Sequence, residues 1–244
     1  MDPLPPHPAL TAYYAGAAER EAFVRRLFDA TAADYDAINQ VFSFGTGRRY
    51  RARALRQAGL AAGMRVLDVA TGTGMVAAAA RHLVGPSGSV TALDLSAGML
   101  RRAGRHAGLC LVQGSADSLP FADARFDLLT MGYALRHVGS LDTAFTEFAR
   151  VLRPGGQVLL LEIGRPGSRQ AHRLVRAYLG RVVPLLSRLA GSGRQAETLM
   201  RYYWDTIESC VPPETILTAL RASGLRDAHS ATEFGLFRTY TATR

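Results

Sequence analysis

Apolar positions in the first quarter of the chain recur at helical spacing, and the period changes near residue 64. Phe23, Val24, Leu27 and Phe28 fall on one stripe of a helix predicted over Ala17–Asp29, and an arginine-rich helix is predicted near Arg48–Gly59. From Met64 onward short apolar runs alternate with helical ones. MRVLDVA, SVTALD, LCLVQG, FDLLTMG and QVLLLEI are the strands, with helices over Met75–Val84, Ala97–Arg105 and Leu141–Leu152. Strands this evenly apolar suit a sheet covered on both faces. The alternation predicts parallel strands joined by right-handed crossovers, hence a doubly wound, mostly parallel α/β sheet. RPGG at Arg153–Gly156 stops the preceding helix, since proline cannot continue it and glycine accepts a left-handed cap.

After Ile163 the alternation ends. A turn over Gly164–Ser168 leads into an arginine-studded amphipathic run in which Val175, Tyr178, Leu179, Val182, Leu186 and Leu189 share a face, with a kink predicted at Pro184. Helices follow over Gln195–Ile207 and near Glu214–Ala222, then two short strands around a turn at Phe234–Gly235. Four prolines in the first ten residues argue for a flexible leader over residues 1–16. The remainder reads as one domain: a helical lid over 17–62, a core over 63–163, a helical cap over 164–224 and a strand pair over 225–244.

Composition narrows the function. At 244 residues, 48% hydrophobic and 20% charged, the chain suits a single globular domain. No apolar run is long enough to cross a bilayer, and the MDPLPPHP start argues against a secretory signal. Cys110 and Cys210 stand alone, which excludes a thiolate zinc site and favours a reduced, cytoplasmic setting. The net charge of +9 comes entirely from arginine, spread along the chain in no dense block. That spread favours a solvated surface over a nucleic-acid face. The histidines show no ligand spacing, so no metal is expected.

Candidate chemistry gathers at RVLDVATGTG. Gly72 and Gly74 let a strand turn into a helix with no Cβ between backbone and ligand, and the helix N-terminus favours a negatively charged group there. Asp94, ending the second strand, is placed to accept hydrogen bonds from two ribose hydroxyls. A nucleoside cofactor is implied, and on this stretch alone a nicotinamide dinucleotide competes, because Gly72-x-Gly74-x-x-Ala77 with Asp94 also fits that fingerprint. Three features favour an amino-acid-bearing nucleoside. Asp68 could meet an ammonium and would repel pyrophosphate; Asp117, in GSADSLPF, could accept from an adenine amino group; and the residues before the first strand can form a lid.

Asp68, Ala70, Gly72 and Gly74 together match the acid-x-G/A-x-G-x-G turn of the seven-stranded, class I S-adenosylmethionine-dependent methyltransferases. Within that group the chain resembles the ubiquinone/menaquinone biosynthesis C-methyltransferase family. The likeness rests on Tyr35, Asp36, Asn39, Ser43, Phe44 and Gly45, and on SADSLPFADARFD, YALRHV and VLRPGGQVLLLE. It implies a Rossmann-like sheet with an antiparallel seventh strand and S-adenosylmethionine as cofactor. Contacts implied are Thr73 in the turn, Asp94 at the ribose, Ser115, Ala116 and Asp117 around adenine, and Gly132 after the fourth strand, with Tyr35 and Asn39 in the lid.

The activity implied is methylation of a ring carbon of a quinol or phenol; methylation of a smaller metabolite at carbon, oxygen or nitrogen and an NAD-dependent oxidoreductase are the alternatives. Three departures stand out: Met75, where the family's glycine turn commonly ends in Asp, and, on the substrate side, His137 where its Leu-Arg-Asn has Asn and Thr206-Ile207-Glu208 where it has Ser-Ile-Arg. His137 is the leading candidate base, Arg136 a candidate for holding a phenolate, and Glu208 a second candidate base. The segment Ser168–Leu189 suggests transient contact with a membrane, on the inner face if the chain is peripheral to one, and a homodimer is compatible with the sequence.

Overall fold

The computed structural model describes residues 3–33, 35, 47–178 and 194–244. Seven strands form one sheet: β1 (Arg65–Val69), β2 (Ser89–Asp94), β3 (Leu109–Gln113), β4 (Phe126–Gly132), β5 (Leu152–Ile163), β6 (Arg226–Glu233) and β7 (Phe237–Thr243). Their spatial order is β3-β2-β1-β4-β5-β7-β6. β1 to β5 are mutually parallel, with Val66 level with Val90 on one side and Leu128 on the other. β7 runs antiparallel to both β5 and β6. The order reverses between β1 and β4, so the carboxyl ends of those strands border the crevice where ligands of such sheets bind.

The elements follow from the apolar pattern. The central strands are covered on both faces: Val66, Leu67, Val69 and Leu129 are fully buried, as are Leu160 and Val158. The edge strand β3 departs from this, leaving Leu111 39% exposed, because only one neighbour flanks it. On one face lie α2 (Gly47–Gln57) and α3 (Met75–Val84); on the other, α5 (Leu141–Val151) and α8 (Pro213–Ala222). α4 (Ala97–Ala103) is capped by Ser96, whose Oγ accepts from the Met99 N–H at 3.0 Å. A third cluster joins α1 (Ala17–Thr31) to α7 (Arg194–Ser209) above the carboxyl edge, through Val24, Leu27, Leu199 and Tyr202.

Three expectations change. The helix stops before RPGG as expected, α5 ending at Val151, but its glycines do not cap it: the cap is Leu152, and Arg153–Gly156 already belongs to β5, with the left-handed residue at Gly155 (φ 78°). The proline-rich leader is pinned to the body from residue 4. The Leu4 carbonyl accepts from the Leu141 N–H at 2.8 Å, the Pro6 carbonyl accepts from Val211 N–H at 2.9 Å, and His7 is 1% exposed. A proline-rich stretch is short of N–H groups but keeps every carbonyl, and the carbonyls of Leu4 and Pro6 serve donors elsewhere in the fold. The amphipathic run after Gly164 is seen as α6 (Arg169–Ala177), which buries no side chain and leaves Leu174 71% exposed. Leu179 to Leu189, including Pro184, lie outside the described residues. No helix among the described residues is long and apolar enough to cross a membrane.

Candidate active site

A cavity of about 860 Å³ opens at the carboxyl edge, over the point where the strand order reverses. That volume falls in the range of small-molecule and cofactor sites. Its floor is the glycine turn. Ala70 (φ 52°), Gly72 (φ 57°) and Gly74 (φ 84°) all take left-handed backbone, which carries the chain from β1 into α3 within five residues. The two glycines serve different ends. A Cβ on Gly72 would meet nothing within 4 Å and would project into open space, whereas one on Gly74 would press on Ala103 and His106 at 3.0–3.1 Å. Gly72 thus keeps the floor open, and Gly74 lets α4 approach.

Asp68 does not face the cavity. It is 1% exposed and its oxygens are taken by three donors: Thr71 Oγ1 (2.6 Å), the Ala77 N–H (3.1 Å) and Thr130 Oγ1 (2.6 Å). Burial raises its pKa to about 6, against the pull of those donors. The expected contact with an ammonium is therefore corrected: Asp68 braces the turn against α3 and β4.

Asp94 does line the cavity. Its Oδ2 accepts from the Gly72 N–H (2.7 Å) and its Oδ1 from the Ser96 N–H (2.8 Å), which locks the carboxylate to the turn. Ser115, Ala116 and Asp117 form the wall beyond β3. Asp117 Oδ2 accepts from the Gly139 N–H (2.9 Å), while its buried Oδ1 has no partner among the described residues. An unsatisfied buried acceptor on a cavity wall is costly unless a ligand donor meets it, and an adenine amino group is such a donor. Thr73 Oγ1 in the turn is likewise buried and unpartnered. Gly132 lines the cavity where a Cβ would strike Val76 Cγ2 at 2.8 Å. These residues fit a nucleoside-bearing cofactor.

Beyond Gly132 the cavity becomes aromatic. Phe28, Tyr35, Tyr203 and Phe237 line it, together with Tyr133, which is held at φ 62°. Tyr35 and Tyr203 join through their hydroxyls, tying the described end of the lid to α7. Asp36, Asn39, Ser43, Phe44 and Gly45 lie outside the described residues.

The three candidate catalytic residues separate. His137, in a short 3-10 turn (Leu135–His137), lines the cavity. Its ring packs on Phe28, Tyr202 and Tyr203 at centroid distances of 5.3–5.6 Å. Nδ1 lies 3.4 Å from the Tyr202 hydroxyl, and Nε2 is buried without a partner among the described residues. Burial, then the charges of Arg136 and Arg20, hold its pKa well below the usual 6.5, so the imidazole is neutral at physiological pH.

Arg136 turns away from the cavity. At 1% exposure it donates from Nε to Glu162 Oε2 (2.9 Å) and from Nη1 to Thr206 Oγ1 (3.1 Å), with its guanidinium 5.5 Å from the Tyr203 ring centre. The phenolate-holding role predicted for it is corrected: a charge enclosed by a carboxylate and a hydroxyl is already satisfied. Glu208 is also displaced. It pairs with His172 Nε2 (2.8 Å) and Arg165 (3.5 Å), outside the cavity, and is not placed to act as a base.

Arg20 was not legible as a site residue. It is 5% exposed, lines the cavity, and donates from Nη2 to the Arg136 carbonyl (2.9 Å). His7 Nδ1 lies 2.7 Å from the Pro8 carbonyl, which can only accept, so His7 Nε2 accepts from Arg20 Nη2 at 3.1 Å. The pinned leader therefore steadies the backbone next to His137. Only a single arginine on a helical stripe marks Arg20 in the sequence, and no spacing rule singles it out.

A sequence profile of the ubiE/COQ5 methyltransferase family matches residues 16–243. The chain is 34% identical over 215 residues to the ubiquinone/menaquinone biosynthesis C-methyltransferase of Hahella chejuensis, covering 85% of each chain. It is 35% identical to the protein of that name from Syntrophotalea carbinolica, covering 90% of this chain and 93% of that one. Among solved structures it resembles a SAM-dependent methyltransferase from Aquifex aeolicus, with a TM-score of 0.59 at 17% identity, covering 79% of this chain and 88% of that one. Profile and relatives are methyltransferases, and the oxidoreductase alternative raised by the glycine turn finds no support among them.

Proposed function

Because the chain belongs to the ubiE/COQ5 methyltransferase family and is an S-adenosylmethionine-dependent methyltransferase, we propose that it methylates a ring carbon of a lipophilic quinol. S-adenosylmethionine, when bound, supplies the electrophilic methyl group. The observation that carries the reading is the aromatic half of the cavity, with the unpartnered Nε2 of a neutral His137 set among Phe28, Tyr202 and Tyr203.

Asp94, Thr73 and the Ser115–Asp117 wall hold the nucleoside, while Asp68 keeps the turn in shape beneath it. The aromatic walls fix a planar ring against the methyl group; orientation of this kind can supply about 7–11 kcal/mol of the barrier. His137 accepts the acceptor's hydroxyl proton at Nε2, which raises electron density at the ortho carbon; once that carbon carries the methyl group it loses its own ring proton to solvent, and His137 returns a proton to the hydroxyl oxygen. Its lowered pKa leaves the imidazole unprotonated, with Nε2 free to accept, at neutral pH. Arg20 keeps the adjacent backbone in register.

One departure favours a second reading, a smaller phenolic metabolite as acceptor: His137 replaces the asparagine common in the family, on the substrate side of the site. Turnover of a demethyl quinol bearing an isoprenoid chain and of small phenols, followed by product mass, separates the two. The first reading expects a mass gain of one methylene unit on the quinol and no exchangeable-hydroxyl loss; methylation of small phenols alone would replace it.

A pH dependence follows from Asp94. Burial raises its pKa to about 6, and only the ionised form can accept from two ribose hydroxyls. S-adenosylhomocysteine affinity is therefore expected to be flat above pH 7 and to fall below about pH 6, approaching tenfold per pH unit. Calorimetry between pH 5 and 8 reads this directly, and an affinity that rose on acidification would contradict it.

A further inference from the structure

The turn between β6 and β7 presents an aromatic residue where neither packing nor backbone preference asks for one. Phe234 is 87% exposed, the most exposed of the large hydrophobic side chains among the described residues. Its φ of 53° lies in the left-handed region, followed by Gly235 at 67°. Turns with successive left-handed residues favour Asn or Asp before Gly, and a bulky side chain there is strained. A residue that is both strained and unburied gives the fold nothing in return.

The turn is nevertheless held firmly. The Leu236 N–H donates to the Glu233 carbonyl (3.2 Å), the Gly164 N–H donates to the Leu236 carbonyl (2.7 Å), and Glu233 pairs with Arg53 on α2. These contacts fix Phe234 on the rim of the cavity, continuous with Leu236, Phe237 and Ile163 on the inner wall. An acceptor chain that leaves the aromatic half of the cavity through its mouth passes over this rim.

We propose that Phe234 is the exit contact for an apolar chain carried by the acceptor, and so sets a preference for chain-bearing over chainless rings. The inference rests on the aromatic-acceptor reading above and specifies which part of the acceptor is read at the rim. Burying this ring against a hydrocarbon chain removes apolar surface of both from water, which is the source of the preference.

The test compares Phe234→Asn and Phe234→Leu with the unaltered protein, using a chainless demethyl naphthoquinol and the same ring carrying two isoprene units. Asn suits the left-handed turn and removes the apolar surface; Leu keeps the surface. The ratio of kcat/KM for chain-bearing over chainless acceptor is expected to fall about tenfold in Phe234→Asn, through KM, and to stay within about threefold in Phe234→Leu. The thermal midpoint of Phe234→Asn is expected to rise by about 2–4 °C, as relief of strain in a chain of this size would give.

An unchanged ratio in Phe234→Asn overturns the proposal. So does an unchanged ratio accompanied by lost cosedimentation with vesicles of anionic phospholipid, which would assign Phe234 to a bilayer surface. If the unaltered protein methylates neither ring, the aromatic-acceptor reading fails and this inference with it; methylation of both rings with no chain preference removes the inference alone.

Discussion

His137→Ala is expected to lower kcat by about 10²–10⁴, the usual range for a positioned general base, while S-adenosylhomocysteine affinity changes by less than about threefold. The separation arises because His137 is set in the aromatic half of the cavity, whereas Asp94, Thr73 and the Ser115–Asp117 wall define the other half. Since Arg136, Arg20 and burial already keep the imidazole neutral, no ascending limb near pH 6.5 should belong to His137 in the kcat/KM profile. Single-turnover measurement against pH checks both points. Wild-type turnover in the alanine variant would remove His137 from the mechanism.

The largest stability effect is expected at Glu162, which never touches the cavity. Its Oε1 accepts from the Leu135 N–H (2.8 Å), and its Oε2 from Arg136 Nε (2.9 Å) and the Ile163 N–H (3.2 Å). Glu162 is 5% exposed and Arg136 1%. Glu162→Ala strands a buried guanidinium, at a cost of about 3–5 kcal/mol. For a chain of this size that lowers the thermal midpoint on the order of 10 °C. Glu162→Gln keeps an acceptor for the Leu135 N–H and should lose less. Calorimetric unfolding of both variants tests the order; equal losses would mean that the charge, which both variants remove, accounts for the whole effect and the retained acceptor for none of it. Because Leu135–His137 hangs from this pair, the alanine variant should also lose turnover at temperatures where it remains folded.

The part of the site that depends on neighbours in sequence was readable from the chain. The β1 turn, Asp94 at the end of β2 and the Ser115–Asp117 wall are each set by a strand and the few residues that follow it, and their register is carried by an apolar pattern with little ambiguity. What misled was side-chain direction. Asp68 looks available in RVLDVATGTG because one of its three donors, Thr130, is supplied by β4, 62 positions away. Arg136 looks like a partner for an oxyanion until β5 and α7 bring Glu162 and Thr206 against it.

Glu208 was misplaced in the same way. It was a base candidate only on condition of burial at the site, and α6 supplies His172, which holds it outside the cavity. The leader was misjudged for a chemical reason: proline content reports on missing donors and says nothing of carbonyls that serve donors elsewhere. Arg20 and His7 escaped notice for the same reason, since their bonds to one another and to the Arg136 carbonyl are meaningful only once α1 lies over the sheet.

The placement of β7 has a consequence for biosynthesis. Of the seven strands of the sheet it is the last to be synthesised, yet it occupies an interior slot between β5 and β6. Until it arrives, a nascent chain carries the whole Val158–Ile163 edge of β5 with one side unpaired, in a stretch where Val158, Leu159, Leu160 and Leu161 are at most 1% exposed in the finished fold. An apolar edge of that length invites association with other chains. Slow translation of the stretch from Gly164 to Thr243 would prolong that hazard, and this edge is one that a holding chaperone would cover.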